Sequence, residues 1–226
     1  MKPPIPWIAD GLLPGQAPRT SLTRTAGMLF ASALWLGTVV MFLVLLIEYS
    51  NSPGHSGAPP VRWPAQSRIS LDPSRATLVL FAHPRCPCTR ASLCELELLL
   101  ACCPNQIIAH VVFIKPTGTE KDWTQTELWG KASAIPGVSV CEDDAGVEAR
   151  RFHVETSGHT LLYDRDGRLL FRGGITIARG HAGDNPGRSA IVALLMGQAS
   201  GGVITPVFGC PLLAAECQEG GVECKR

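Results

Sequence analysis

Residues 78–100 read LVLFAHPRCPCTRASLCELELLL, and this stretch decides the fold. Its first residues belong to the apolar run ATLVLFA (76–82), which has the length and composition of a buried strand. A Pro-containing turn follows, and from Thr89 to Cys102 the residues Leu93, Leu96, Leu99 and Leu100 share one helical face. Cys86-Pro87-Cys88 therefore falls where a strand hands over to a helix. Unpaired N–H groups and the macrodipole at a helix start favour a thiolate, the form that exchanges with disulfides or binds soft metals.

Beyond this unit, apolar runs alternate with segments of helical period. Residues 107–114 read as a second strand, 122–134 as a helix, 138–141 as a short strand and 147–152 as a short helix. The runs 160–163 and 168–171 flank Asp164-Arg165-Asp166-Gly167, whose Asp-Gly pair predicts a hairpin. Asn185-Pro186 reads as an N-cap followed by Pro at the first helical position, opening a helix to about Met196. This order predicts one α/β domain over 76–198, a mixed sheet with an antiparallel end and flanking helices. A Gly-rich, Cys-containing tail, 199–226, follows it.

Upstream, residues 25–47 contain no charged side chain and are long enough to cross the ~30 Å hydrocarbon core as one transmembrane helix. The apolar part of a cleavable signal is shorter, about 7–15 residues, so an uncleaved anchor is expected. Lys2, Arg19 and Arg24 precede the span and the next basic residue is Arg62, which predicts a cytoplasmic N-terminus (1–24) and an exported remainder. Residues 48–75, with their Pro and Ser, read as an extended linker between anchor and domain. The expected location is the inner membrane of a bacterial-type cell, single-pass, with the domain on the periplasmic side.

The chain has 226 residues, with 20 Lys and Arg against 19 Asp and Glu, a balance that argues against a nucleic-acid partner. Its 23 Gly and 18 Pro follow no period, so collagen-like and wholly disordered classes fall away. There is no Walker A, GxGxxG, HExxH or GxSxG pattern to support nucleotide, metalloprotease or serine-hydrolase chemistry. All nine cysteines lie after the span, where disulfides persist, and the odd number leaves at least one thiol free, metal-bound or intermolecular.

The strand, the cysteine turn and the helix begun by Pro87 and Cys88 resemble the thioredoxin superfamily over about residues 70–198. The extra elements around 138–152 look like its exported peroxiredoxin-like, TlpA-like and Sco-like branches. Within these, HPRCPCTRAS, SGHTLLYDRDG, GGITIARGH and GDN are similar to membrane-anchored RedB-like proteins. The resemblance implies a thioredoxin-like sheet and redox-active cysteines, although CxC replaces the usual CxxC; if Cys88 matches the resolving cysteine, Arg85 stands in the nucleophile's place. Counting back from Gly167 puts His159 where thioredoxins carry a cis-Pro, and Sco-like copper proteins have a His on the corresponding loop.

Two chemistries follow. In the first, a thiol–disulfide oxidoreductase that needs no cofactor, Cys86 thiolate attacks a partner disulfide and Cys88 resolves it. In the second, a Sco-like carrier, Cys86, Cys88 and His159 form a soft set for copper. The partners implied are protein thiols or disulfides, or a respiratory-chain assembly client; a non-catalytic thioredoxin-fold adaptor at the membrane is a third reading. Cys210, in TPVFGCPL, is a candidate third thiol that resolves a disulfide, completes a metal site or pins the tail. Arg179 and His181 are candidates to line the active face. Cys94 reads as a small core residue, Cys102, Cys103 and Cys141 sit at element ends, and Cys217 and Cys224 read as structural or free.

Overall fold

A computed structural model describes residues 20–213. The first described element is a helix, α1 (Thr20–Asn51), whose segment Thr23–Asn51 has a mean hydropathy of 2.5 and buries none of its apolar surface. It is long and apolar enough to cross a membrane, and an apolar surface all round suits lipid better than water.

The second unit begins at Glu48 and is built on a six-stranded sheet. Its elements are β1 (Ala76–Ala82), α2 (Pro87–Cys102), β2 (Ile107–Lys115), α3 (Glu127–Ala134) and β3 (Val138–Asp144). Then follow α4 (Val147–Arg151), β4 (His159–Tyr163), β5 (Leu169–Gly174), α5 (Pro186–Leu195) and β6 (Val203–Ile204). The spatial order is β3-β2-β1-β4-β5-β6; β1, β2 and β3 are parallel, and β4 runs antiparallel to both β1 and β5. This is a thioredoxin-like mixed sheet with flanking helices, preceded by one apolar helix.

β1 is central, so both of its faces are covered and the strand is a continuous apolar run. Leu78 and Leu80 pack under Leu93, Leu96 and Leu99 of α2, with Ile191 of α5 in the same cluster. Val79 and Phe81 face the other way, toward Phe152, Leu161 and Tyr163. The Asp164–Gly167 turn closes the hairpin as the sequence predicts: Gly167 takes φ +72°, and the Asp164 carboxylate accepts from the N–H groups of Asp166 and Arg168.

Three elements differ from expectation. The helix expected over 122–134 starts at Glu127, because Thr126 is extended and its hydroxyl donates to the Pro84 carbonyl in the cysteine turn. The linker expected over 48–75 begins with the last turn of α1, to Asn51, and the rest straps the domain. Trp63 sits 5.1 Å from the rings of both Phe152 and Tyr163, the Tyr163 hydroxyl donates to the Pro60 carbonyl, and the Leu169 N–H donates to the Val61 carbonyl. A strap that covers the Val79 and Phe81 face removes apolar area from water, which a free linker does not. The segment after Gly197 also returns to the fold: β6 joins the sheet edge beside β5, and Pro211 bridges Thr156.

Candidate functional site

The cysteine turn is held from three sides. Cys86 is the N-cap of α2, with Pro87 and Cys88 in its first turn. The Cys86 N–H donates to the His83 carbonyl, and the Thr89 hydroxyl closes the turn on the same carbonyl. On the facing loop, Ser157 Oγ accepts from the His83 N–H at 2.9 Å and lies 3.0 Å from Thr89 Oγ1, while the Gly158 N–H donates to the Phe81 carbonyl. Gly158 takes φ +89°, and a Cβ there would stand 3.0 Å from Ser92 Oγ, so a bare backbone is what lets the loop approach α2. The third side is the returning C-terminal segment, where the Cys210 carbonyl accepts from the Ser157 N–H at 2.8 Å.

These contacts bring three thiols together. Cys210 Sγ lies 2.9 Å from Cys86 Sγ, and the Cys88 thiol faces Cys86. Burial pushes the Cys86 thiol up, but the Cys210 S–H and the backbone N–H groups of Cys210, Cys88 and Thr89 outweigh it, leaving Cys86 below the ordinary thiol range. Two of those N–H groups are the first-turn donors that the sequence placed at a helix start. Cys88 moves the opposite way, raised by burial and by the charge on Cys86, with Arg179 opposing. Cys210 is pushed up to about 12 by burial and by donating its proton to Cys86. The set is thus one thiol biased toward the thiolate, flanked by two biased toward the protonated form.

Arg179 is bound into this site. Its Nη1 donates to the Gly209 carbonyl at 2.5 Å, its Nε to the Ser52 carbonyl at 3.2 Å, and its guanidinium lies 4.9 Å from the Tyr49 ring centre. His181 is exposed and its Nδ1 lies 2.9 Å from the Arg179 carbonyl. Arg85, next to Cys86, stacks its guanidinium 3.7 Å over Trp123.

His159 is not brought to the thiols. It pairs with Phe81 in the sheet, and residues paired across an antiparallel ladder share a face. That face is the one opposite α2, so the ring is turned away from the Cys86 turn. Neither ring nitrogen has a hydrogen-bond partner, and burial depresses its pKa to about 4. Among the described residues no three His, Cys, Asp or Glu side chains group as metal ligands. The copper set of Cys86, Cys88 and His159 does not fit this geometry, because the loop residues facing the turn are Ser157 and Gly158, two and one positions earlier.

The other cysteines lie apart. Cys94 is half-buried and accepts from Lys131 Nζ at 2.9 Å, Cys102 is exposed, Cys103 is buried, and Cys141 is half-buried and pushed up to about 11 by burial. Cys217 and Cys224 lie outside the described residues. Sequence reasoning missed Ser157 and Glu95. Glu95, fully buried on α2, holds the loop before α5 by accepting from the Gly183 N–H and from Asn185 Nδ2. The available signal was a glutamate next to Leu96, one of two glutamates within a Leu-rich helix.

A central strand leading into a cysteine-bearing helix start, with a third thiol delivered by the C-terminal segment, defines a thioredoxin-like domain with a thiol site. No protein-family model matches the chain, and no curated protein matches it either. Among solved structures it is similar to an uncharacterized conserved protein from Geobacillus kaustophilus, at 17% identity and TM-score 0.53 over 74% of this chain and 94% of that one. It is similar to a hypothetical protein from Sinorhizobium meliloti, at 23% identity and TM-score 0.52 over 72% and 96%. A secreted Mycobacterium tuberculosis disulfide oxidoreductase aligns at 14% identity and TM-score 0.38 over 56% and 84%.

Proposed function

We propose that this chain is a membrane-anchored thiol–disulfide oxidoreductase whose thioredoxin-like domain works on the extracytoplasmic side. The observation that carries the reading is the Cys86 thiol, lowered at the start of α2 and 2.9 Å from a second thiol. Exchange requires a thiolate and a neighbouring sulfur that takes up or releases it, and a thiol biased toward thiolate beside a second sulfur meets that need without a cofactor. The helix α1 supports the anchor by its length and hydropathy. The partner class is an exported protein dithiol or disulfide.

The test is exchange itself. The full chain in detergent, oxidised and mixed with a synthetic two-cysteine peptide, is expected to oxidise the peptide, and Cys86→Ser is expected to abolish this. Peptide oxidation that persists in Cys86→Ser, or none by the wild type, sinks the reading. A Cu(I) titration of the wild type and His159→Ala supplies the other arm: binding that collapses on losing His159 favours the copper carrier instead.

A further inference from the structure

The three thiols differ in what can reach them. Cys86 and Cys88 are only 1% and 8% exposed, whereas Cys210 is half-buried. Cys210 also sits between Gly209 and Pro211, which line an adjacent cleft of about 550 Å3 whose charged side chains are Arg150, Arg179 and Glu155. A cleft of this size accommodates a few side chains of an extended peptide, and its two guanidinium groups against one carboxylate favour acidic residues. A disulfide is attacked along its axis at a sulfur that solvent reaches, and the other sulfur departs as thiolate.

We propose that Cys210 is the entry cysteine, the sulfur that forms the mixed disulfide with the partner, and that Cys86 is the internal sulfur that leaves. The inference rests on the exchange reading above and assigns its roles differently from the CxC order. In the oxidised protein the bond joins Cys86 and Cys210, whose sulfurs already stand 2.9 Å apart. A partner thiolate attacks Cys210 Sγ, a partner–Cys210 disulfide forms, the Cys86–Cys210 bond breaks, and its electron pair stays on Cys86. A second partner thiolate attacks the partner sulfur of the mixed disulfide and releases Cys210, which takes up a proton. The partner dithiol is oxidised by two electrons and the domain reduced by two; another protein disulfide reloads the bond. The N–H groups of Cys88 and Thr89 stabilise the departing Cys86 thiolate. The substrate class is an extended dithiol polypeptide with acidic residues near the reacting cysteine.

The experiment uses the oxidised full chain in detergent with glutathione as monothiol probe, acid quenching and peptide mass mapping at early times. The first adduct is expected on Cys210; a first adduct on Cys86 or Cys88 overturns the proposal. In parallel, the oxidation rate of a two-cysteine peptide is compared across variants. Cys210→Ser is expected to lose at least roughly tenfold, and Cys102→Ser, an exposed thiol outside the site, to match the wild type. An undiminished rate in Cys210→Ser overturns the entry role while leaving exchange at Cys86 intact, whereas no oxidation by the wild type removes the exchange reading itself.

Discussion

The carboxylate of Glu95, fully buried on the helix that carries the cysteines, is held by the Arg188 guanidinium of α5 at 2.5 Å. Asn185 and the Gly183 N–H complete its hydrogen bonds, so one acid fixes the loop that leads into α5. A buried charge that loses its partner keeps its full desolvation cost. Arg188→Ala is therefore expected to destabilise the domain by about 3–5 kcal/mol. Asn185→Ala, which also removes the cap on the Arg188 N–H, is expected to cost about 1–3 kcal/mol. Denaturant unfolding of both variants checks the order; Arg188→Ala costing less than Asn185→Ala contradicts it.

The strap makes a second prediction. Trp63 packs edge-on against both Phe152 and Tyr163, so its removal exposes the Val79 and Phe81 face of the core. Trp63→Ala is expected to cost roughly 2–4 kcal/mol from lost burial and ring contacts. A chain beginning at Ala76 is expected to be less stable than one beginning at Pro53. Equal unfolding midpoints for the two would mean that the strap is a passive linker.

What the sequence made legible follows from how local each signal is. The apolar run 76–82, the leucine face of α2, the Asp-Gly turn and the Asn185-Pro186 start depend on neighbours in the chain, and each stands where its pattern placed it. The strap and the Cys86–Cys210 contact join residues far apart in sequence, and no periodicity encodes such a pairing. The position of His159 shows the limit sharply. A count from Gly167 placed it at the thiols, but strand side chains alternate, so an error of one residue moves a side chain to the other face.

The buried imidazole of His159 sets an acid sensitivity. Burial first, and then the charge of Arg172, holds its pKa at about 4, below the ordinary 6.5. Between those values the unfolded chain binds the proton and the folded domain does not, so stability rises with pH across this window and falls as the medium is acidified. At most about 3 kcal/mol is lost from pH 6.5 to 4 through this group. His110 and His83, also lowered by burial, add to the slope in the same direction. In His159→Leu the slope is expected to shrink, and stability at pH 7 to hold or rise, since two unpartnered ring nitrogens leave the core. Denaturation midpoints from pH 4 to 7 read both; an unchanged slope would rule out His159 as its source.

Gly209 decides whether Cys210 reaches Cys86. A Cβ at this position would stand within 1.9 Å of the Ser157 carbonyl oxygen, and a backbone atom cannot rotate away as a side chain does. The same strand contact carries the Ser157 N–H bond to the Cys210 carbonyl and the Arg179 bond to the Gly209 carbonyl. Gly209→Ala must push the C-terminal segment off the loop, at roughly 1–3 kcal/mol for an overpacked contact. The sulfur of Cys210 moves with it. Mild oxidation with a glutathione redox buffer is therefore expected to form the Cys86–Cys210 disulfide more slowly and to a smaller extent than in the wild type. Phe208→Leu, two positions from Cys210 with no new Cβ against Ser157, is expected to perturb it less. Peptide mapping of the bond in both variants measures this, and wild-type disulfide yield in Gly209→Ala would show that the close approach is not what delivers the third thiol.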